Sequence, residues 1–355
     1  MAFRRSSTVL GALAVLILAG ILASPSFAQE ARKLSKEEVA DYQAVHALVD
    51  NVMAGKQPAP ADAKVTFKPH FLKSGTDIYI PYTVELEPGK LSGTPLVMYV
   101  VAIRKPVAGA AETPAPAAPA AQGGRAGRGG RAGAPGGPSV AFEDVAFITP
   151  KPDGTIQRAL ELMPGDYTLY LTISEKPADP KDKKAVPAKA VVSTQTLTVP
   201  DLLSGLSTSS VILAKDIQPA TVQLSGQQQL EEPYTVSGYK ITPSPVSSFP
   251  KSGELLWVFY IYNEKEAASG KPDVAVDYNF FKAGEEKPFV NMPSAAYNAS
   301  NLPPEFNLSA GHMVFVAQGV PLTTFNPGEY KVQMKITDKT NNQSVTRDVP
   351  FTVTP

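Results

Sequence analysis

The sequence predicts an all-β protein of two tandem β-sandwiches, preceded by a signal peptide and one short α-helix. Three observations carry this prediction. The 355-residue chain contains 34 prolines, and this density disfavours a mostly helical protein because proline breaks helix interiors. From residue 64 onward, β-branched and aromatic residues recur with a period of two in short runs between Pro/Gly turns, which is typical of strands. The length suits about two domains.

The N-terminus has the three parts of a secretory signal peptide. Two arginines precede an uncharged apolar stretch over 8–23, and Ser26 and Ala28 place small residues at positions −3 and −1 of a cleavage site. We therefore predict a signal peptide over 1–28, cleaved after Ala28, and a periplasmic or secreted protein. The apolar stretch is shorter than the ~20 residues that cross a bilayer, so we predict no membrane span after cleavage.

A single helix is predicted over 35–53, within a segment of helix and linker at 29–57. Ser35 and Glu38 form the S-x-x-E pattern of a capping box. Valines and Tyr42 recur at helical spacing and form one apolar stripe. Such a stripe docks either on the chain's own first domain or on a partner, and the sequence leaves both open.

Two series of strands follow and define two domains, 58–200 and 201–355. The predicted strands of the first domain are 64–72, 77–85, 96–103, 140–148, 155–162, 166–174 and 189–199. Those of the second domain are 210–213, 235–242, 255–263, 274–281, 313–318, 329–337 and 344–353. Within the first domain, residues 106–138 contain 11 Ala, 9 Gly and 6 Pro, which together make 26 of 33 residues. Such a stretch buries too little apolar surface to offset its ordering entropy and predicts a disordered loop.

Short matches between the two series predict a tandem duplication. The tripeptide Lys-Ser-Gly precedes a strand in both series at an offset of 178, which aligns Tyr82 with Tyr260. Pro95 matches Pro272 at an offset of 177, and a Pro-Gly-acidic-Tyr motif recurs at an offset of 163. The order of the three matches is the same in both halves, which favours two copies of one β-domain.

The Pro-Gly-acidic-Tyr motif, at 164–167 and 327–330, indicates the type of sandwich. It resembles the tyrosine corner of immunoglobulin-like sandwiches, in which a tyrosine at the start of a strand bonds back to nearby backbone. Two residues after each tyrosine, where antibody domains carry a cysteine, this chain has an aliphatic residue. We therefore predict two immunoglobulin-like domains without a disulfide, with Tyr167 and Tyr330 as structural residues.

The alignment of the two series also predicts a candidate binding surface in the second domain. It assigns to the core face of one strand the residues Leu256, Val258, Tyr260 and Tyr262. The outer face of that strand is then uniformly apolar and consists of Leu255, Trp257, Phe259 and Ile261. A solvated sheet face is normally polar. Either the other domain or the N-terminal helix covers this face, or the face binds a partner or ligand.

Signatures of catalysis and metal binding are missing from the sequence. The absence of cysteine excludes thiol nucleophiles, cysteine-ligated metals and disulfides. The three histidines, His46, His70 and His312, lack metal-ligand spacing, and no nucleophile elbow or phosphate-binding loop occurs. We predict no catalytic residue, no cofactor and no metal. A site assembled from distant carboxylates, or a calcium site around Asp201 or Asp216, stays open.

Charge and composition disfavour a nucleic-acid partner. Thirty-three basic residues balance 33 acidic residues, so the formal net charge is zero. Residues 123–133 carry three arginines among glycines, but aromatic residues that would stack on bases are not interleaved with them. We predict that the protein binds no nucleic acid.

Three segments of the second half carry a family resemblance: 206–217 (LSTSSVILAKDI), 249–263 (FPKSGELLWVFYIYN) and 325–353 (FNPGEYKVQMKITDKTNNQSVTRDVPFTV). They resemble a β-domain of uncharacterised exported bacterial proteins, in some of which it accompanies a GWxTD-type module. The G-W-x-T-D signature itself is absent, since the single tryptophan is Trp257. The resemblance implies an exported setting and an immunoglobulin-like sandwich, and it brings no functional residue.

These observations together favour a non-catalytic exported protein that acts in binding, adhesion or as a scaffold at the bacterial envelope or exterior. The expected partner is an unidentified envelope protein or polysaccharide. Two alternatives remain. One is a hydrolase with a carboxylate or calcium site built from loops, and the other is an envelope-assembly module that offers an exposed strand edge.

Overall fold

A computed structural model describes residues 34–106, 139–176, 188–220, 224 and 226–355. The predicted signal peptide, and all but the first residue of the predicted loop at 106–138, lie outside the described residues. Within them the chain forms two compact units, each built of β-sheets, so the all-β sandwich prediction is confirmed. The N-terminal unit comprises the described residues up to Asp201 together with 224–233, and the C-terminal unit comprises 202–220 and 234–355.

The N-terminal unit contains the long helix α1 (Lys36–Met53), a short helix α2 (Gly226–Glu231) and eight strands. The strands are β1 (Val65–Pro69), β2 (Leu72–Ser74), β3 (Asp77–Leu86), β4 (Leu96–Arg104), β5 (Val140–Ile148), β6 (Thr155–Leu162), β7 (Gly165–Ser174) and β8 (Ala190–Val199). In one sheet, β1 and β2 pair with one edge of β3 and β6 pairs with the other. The second sheet has the order β5-β4-β7-β8.

Alternation along β3 builds the core of the N-terminal sandwich. The buried residues on its core face are Ile78, Ile80, Tyr82 and Val84. Their cross-strand partners on β6 are Leu162, Leu160, Arg158 and Ile156. The Arg158 guanidinium lies 3.3 Å from the carboxylate of Asp144 on β5, so this contact joins the two sheets.

Helix α1 packs on the outer face of the β5-β4-β7-β8 sheet. Ser35 caps the helix, and its side chain and that of Glu38 make both bonds of the predicted capping box. The buried side chains of Val45 and Val49 pack against β4 in a cluster that includes Tyr99. Of the two destinations that the sequence left open for the helix, the chain's own first domain is the one observed.

The segment 224–233 covers the outer face of the other sheet of the N-terminal sandwich. Helix α2 contacts β6. The Tyr79 hydroxyl, on the outer face of β3, donates to the carbonyl of Pro233 at 2.9 Å and lies 3.4 Å from the side-chain amide of Gln229. Both outer sheet faces of this sandwich therefore carry a helical segment.

The C-terminal unit contains twelve strands of the described chain. They are β9 (Ser207–Thr208), β10 (Ile212–Pro219), β11 (Thr235–Val236), β12 (Tyr239–Pro243), β13 (Ser248–Pro250), β14 (Glu254–Tyr262), β15 (Val274–Lys282), β16 (Val290–Asn291), β17 (Ala295–Tyr297), β18 (Val314–Pro321), β19 (Gly328–Asp338) and β20 (Gln343–Thr354). One sheet has the order β11-β12-β10-β14-β18, with β9 beside β14. The other has the order β13-β20-β19-β15-β16, with β17 beside β15.

The hairpin of β11 and β12 covers the outer face of β14 and β18. Its two-residue turn, Ser237 and Gly238, has positive φ at both positions, as a type I′ turn requires. The Ser237 hydroxyl accepts a hydrogen bond from Tyr260 at 2.7 Å, and the ring of Tyr239 stacks on Phe315 at 5.6 Å between centroids. The sequence predicted one strand over 235–242, whereas the chain turns back on itself there.

The predicted outer face of β14 is a core face, so the prediction of a binding surface there is wrong. The four residues are 0–1% exposed and belong to the core cluster of the C-terminal sandwich: Leu255, Trp257, Phe259 and Ile261. The error lies in the phase of the alignment. An offset of 178 pairs Tyr82, which faces its core, with Tyr260, which faces outward, and a slip of one residue moves every side chain to the opposite face.

The two tyrosines of the Pro-Gly-acidic-Tyr motif are buried and bond back to the chain. Tyr167 donates to the carbonyl of Met163 at 2.8 Å, and Tyr330 donates to the carbonyl of Asn326 at 2.8 Å. Leu169 and Val332, two residues further on, are fully buried. Aliphatic packing therefore occupies the position that a disulfide fills in antibody domains.

Candidate binding site on the helix-covered face

A surface depression lies beside helix α1, where the helix packs on the sheet that contains β4 and β5. Its volume is about 380 Å³, and it is lined by Tyr42, Gln43 and His46 of the helix and by Glu143 of the strand. All four side chains can form hydrogen bonds, and two of them are aromatic rings. The depression is therefore a polar and aromatic surface, unlike the apolar strip that the sequence predicted on β14.

Glu143 is held by two tyrosine hydroxyls. Tyr42 of the helix donates to its Oε1 atom at 2.7 Å, and Tyr99 of β4 donates to the same atom at 2.8 Å. Alternation along β5 places Glu143 on the helix side of the sheet, next to the docked residues of α1. Hydrogen bonds to an ionised carboxylate are shorter and stronger than those between neutral groups, so this arrangement fixes the carboxylate in place.

His46 lies between two carboxylates. Its Nδ1 atom is 3.2 Å from Asp50 Oδ2, one helical turn along α1, and its Nε2 atom is 4.0 Å from Glu143 Oε1. The imidazole also contacts the rings of Tyr42 and Tyr99, with centroids 5.6 and 5.8 Å away. Its orientation is therefore set by the helix on one side and by the sheet on the other.

The surroundings keep Tyr99 protonated. Burial raises the pKa of its hydroxyl well above the usual value, and the hydrogen bond to Glu143 raises that pKa further. Tyr99 consequently remains a hydrogen-bond donor across the physiological pH range, and the proton stays on the phenol rather than moving to the carboxylate.

The neighbouring Asp144 has a different role, because adjacent residues of a strand point to opposite faces. It faces the core and contacts Arg158 at 3.3 Å. Burial raises the pKa of its carboxyl, while Arg158 lowers it. Asp144 is therefore part of the interior, and Glu143 alone of this acidic pair reaches the depression.

The site brings two carboxylates to one imidazole, since His46 contacts both Asp50 and Glu143. Among the described residues, no group of three or more His, Asp or Glu side chains is placed to hold a metal ion. Both carboxylate oxygens of Asp216, a residue that the sequence left open for calcium, accept protein hydrogen bonds from Ile217 and Gln218.

The residues of this depression were not predicted as a group. The sequence indicated Tyr42 only as part of an apolar stripe and His46 only as a histidine without a metal partner. Their spacing of four residues was a readable signal that they share a helix face. Glu143 follows them by about a hundred positions, and only the docking of α1 on the β5-β4-β7-β8 sheet brings it to them.

Comparisons with known proteins leave the family open. No protein-family model and no curated protein matches the chain. Among solved structures, red sea bream transglutaminase is similar with 8% identity and a TM-score of 0.21, over 86% of this chain and 33% of that one. Trypsin-activated alpha-2-macroglobulin from Escherichia coli is similar with 8% identity and a TM-score of 0.22, over 84% of this chain and 17% of that one.

The chain spans a third or less of the length of these two proteins, and at such low scores the likeness supports no argument about activity. The fold assignment rests on the strands and sheets described above. Within the described part of the chain, no helix combines the length and the apolar character that crossing a membrane requires. The protein is a β-sandwich module.

Proposed function

We propose that this β-sandwich protein is a non-catalytic, exported binding module of the bacterial envelope or exterior, and that its binding site is the depression between α1 and β5. The observation that carries this proposal is the Glu143 carboxylate, held by two tyrosines at the rim of an open polar surface. The export part rests on the signal-peptide pattern of residues 1–28 and on the resemblance to exported bacterial β-domains.

The charge of the depression favours a cationic ligand group. The side chain of Glu143 is 24% exposed. Within the described chain, no lysine or arginine forms an ion pair with Glu143 or with Asp50, and the partners of Glu143 are two neutral phenols and an imidazole. A partly buried carboxylate is stabilised by an opposite charge, and aromatic rings attract cations through their faces. We infer a ligand that presents an ammonium or guanidinium group, carried by a basic envelope protein or by an amino sugar of an envelope polysaccharide.

The test is a chemical-shift titration of the mature protein with two probes, a lysine-containing tripeptide and glucosamine. We expect saturable shifts at Tyr42, His46 and Glu143. Binding should weaken at least tenfold in Glu143→Gln, which removes the charge but keeps an oxygen for the tyrosines. Glu285→Gln, on an exposed loop of the C-terminal sandwich, is the matched control and should bind normally. Shifts that are absent with both probes, or unchanged in Glu143→Gln, would remove this depression as the binding site.

A second candidate function is strand addition, and one edge of the C-terminal sandwich favours it. Strand β18 pairs only with β14 among the described strands, and it carries no charged residue along its eight positions. Charged side chains on edge strands are a common protection against pairing with other chains, and β5 and β6 both carry them. Strand β18 is therefore an edge without charged protection.

Hydrogen exchange distinguishes the two candidates in one experiment with envelope extract. A partner that binds at the depression slows exchange of amides in α1 and β5. A partner that adds a strand slows exchange of the β18 amides that point away from β14. Protection confined to β18 would replace our first proposal with the second.

A further inference from the structure

Four polar side chains converge inside the C-terminal sandwich, where a core is normally apolar. Trp257 of β14 and Gln318 of β18 come from one sheet, and Tyr278 of β15 and Tyr297 of β17 come from the other. Trp257, Tyr278 and Gln318 are 0%, 1% and 9% exposed. The cluster therefore spans the space between the two sheets, away from bulk solvent.

Three contacts bring these side chains to one place. Trp257 and Gln318 are directly opposite cross-strand partners, so they share the core face. The rings of Trp257 and Tyr278 are 5.8 Å apart between centroids. The hydroxyl of Tyr297 lies beside the hydroxyl of Tyr278 and the side-chain amide of Gln318.

Three polar atoms of the cluster lack a hydrogen bond of good geometry, although the Tyr297 hydroxyl lies near both Tyr278 and Gln318. Among the described residues, nothing bonds with good geometry to Trp257 Nε1, Tyr278 Oη or Gln318 Oε1. Buried polar atoms in native proteins are almost always bonded, to protein or to ordered water. The three atoms are also complementary, because an indole N–H only donates, an amide oxygen only accepts and a phenol does both.

We propose that this cluster is a binding site for an ordered internal water molecule. The water accepts the N–H of Trp257 and the O–H of Tyr278, and it donates one hydrogen to Gln318 Oε1 and the other to the hydroxyl oxygen of Tyr297. Each of its two hydrogens and two lone pairs is then used. Buried waters typically make about three such bonds to otherwise unsatisfied groups. The water ties the two sheets together through the single tryptophan, and it is independent of the binding function proposed above.

A high-resolution crystal structure of the unaltered protein tests the proposal directly. We expect one solvent peak within about 3 Å of Trp257 Nε1 and Gln318 Oε1, with amplitude comparable to the surrounding protein atoms. The competing arrangement is a rotated Gln318 that accepts the indole N–H without any water. A direct bond of that kind, with no solvent peak, would overturn the proposal.

Water-to-protein cross-relaxation in solution supplies the second test. The indole N–H of Trp257 should show a strong cross-peak to long-lived water, and Gln318→Leu should abolish it. Gln343→Leu, at an exposed position of β20, is the matched control and should leave the cross-peak unchanged. If Gln318→Leu does not fold, Tyr278→Phe removes one bond to the water and should weaken the cross-peak instead. A cross-peak of full strength in both folded variants, or none in the unaltered protein, counts against the site.

Discussion

The two sandwiches cover their outer sheet faces in different ways. In the N-terminal sandwich, helix α1 lies on the sheet that contains β4 and β5, and the segment with α2 lies on the sheet that contains β3 and β6. In the C-terminal sandwich, a hairpin of the sheet itself folds over β14 and β18. The hairpin contacts this outer face through the hydroxyl of Ser237 and the ring of Tyr239. The helix instead projects Tyr42 and His46 over a strand and leaves a depression beside them. The helical cover of the N-terminal sandwich thus takes part in a depression that its side chains line together with Glu143.

The polar groups inside the two sandwiches differ as well. The N-terminal sandwich contains a charged contact, Arg158 with Asp144, whereas the C-terminal cluster of Trp257, Tyr278 and Gln318 is neutral. A group makes stability depend on pH when its pKa differs between the folded and unfolded states, whether the folded form of the group is charged or neutral. In the N-terminal sandwich, burial raises the pKa of Asp144 and lowers that of His70, so the stability of this sandwich should depend on pH.

The largest expected effect follows from truncation of Trp257, which was predicted to be a binding residue and is a core residue. Trp257→Ala should lower the free energy of unfolding by about 3–5 kcal/mol, because a fully buried tryptophan leaves a large cavity. Urea unfolding followed by circular dichroism measures this loss. Val246→Ala, at an exposed position of the same unit, should stay within about 0.5 kcal/mol of the unaltered protein. A well-folded Trp257→Ala variant with unaltered stability would contradict the core assignment.

The positions of the strands were largely predictable from the sequence, because apolar residues that recur with a period of two are a local pattern. The predicted strand 155–162 coincides with β6, and 140–148 coincides with β5. Phase was harder to predict than position. The alignment at an offset of 178 exchanged the core face and the outer face of β14. The offset of 177, given by Pro95 and Pro272, pairs Ile80 with Trp257, and both of these residues face their cores. In a strand that is apolar on both faces, hydrophobicity cannot choose between the two registers.

The candidate site was not predictable, because it depends on docking. Capping and spacing predicted α1 itself, but not the strand that it covers. The bond between Tyr42 and Glu143 joins residues about a hundred positions apart, and no local pattern encodes it. Helix α2 was missed for a related reason. It is short, and its position depends on contacts of 224–233 with β6 and Tyr79 rather than on helical propensity.

The next effect in size concerns pH and the N-terminal sandwich. Burial lowers the pKa of His70 to about 4. A histidine in the unfolded chain has a pKa near 6.5. Between that pH and about 4, the unfolded chain therefore binds a proton at His70 that the folded chain does not bind. The free energy of unfolding should therefore fall as the pH drops from about 6.5 to 4, by up to ~3 kcal/mol. Urea midpoints measured across this range give the slope.

The matched variant for this prediction is His70→Gln, whose side chain does not titrate in this range. The difference in stability between the two proteins should shrink as the pH falls through the window. Asp144 acts in the opposite direction, because burial raises the pKa of its carboxyl and its contribution to stability increases as the pH falls. Since Asp144 is present in both proteins, its contribution cancels in the difference. A difference that does not change with pH would show that His70 is solvated.

A smaller effect tests whether α1 is held by its apolar stripe. Val49→Ala removes two buried carbon atoms and should reduce stability by about 1.5 kcal/mol. Hydrogen exchange should show roughly tenfold faster opening of the α1 amides, since 1.4 kcal/mol corresponds to a factor of ten. Val39→Ala is the same substitution at an exposed position of the same helix and should leave exchange nearly unchanged. Equal effects of the two substitutions would mean that the helix does not depend on docking.

The smallest effect compares the two sandwiches at one shared hydrogen bond. Tyr167→Phe and Tyr330→Phe each remove a hydroxyl that donates to a carbonyl four residues upstream, so each should lower stability by about 1 kcal/mol. Within the described chain, a guanidinium contacts Tyr167 but not Tyr330: Arg104 lies 6.0 Å from the Tyr167 ring and donates to the carbonyl of Pro164 at 3.0 Å. Arg104→Gln should therefore change the effect of Tyr167→Phe and leave that of Tyr330→Phe unaltered. A double-mutant cycle in urea measures this coupling, and equal coupling in both corners would show that Arg104 does not support the first.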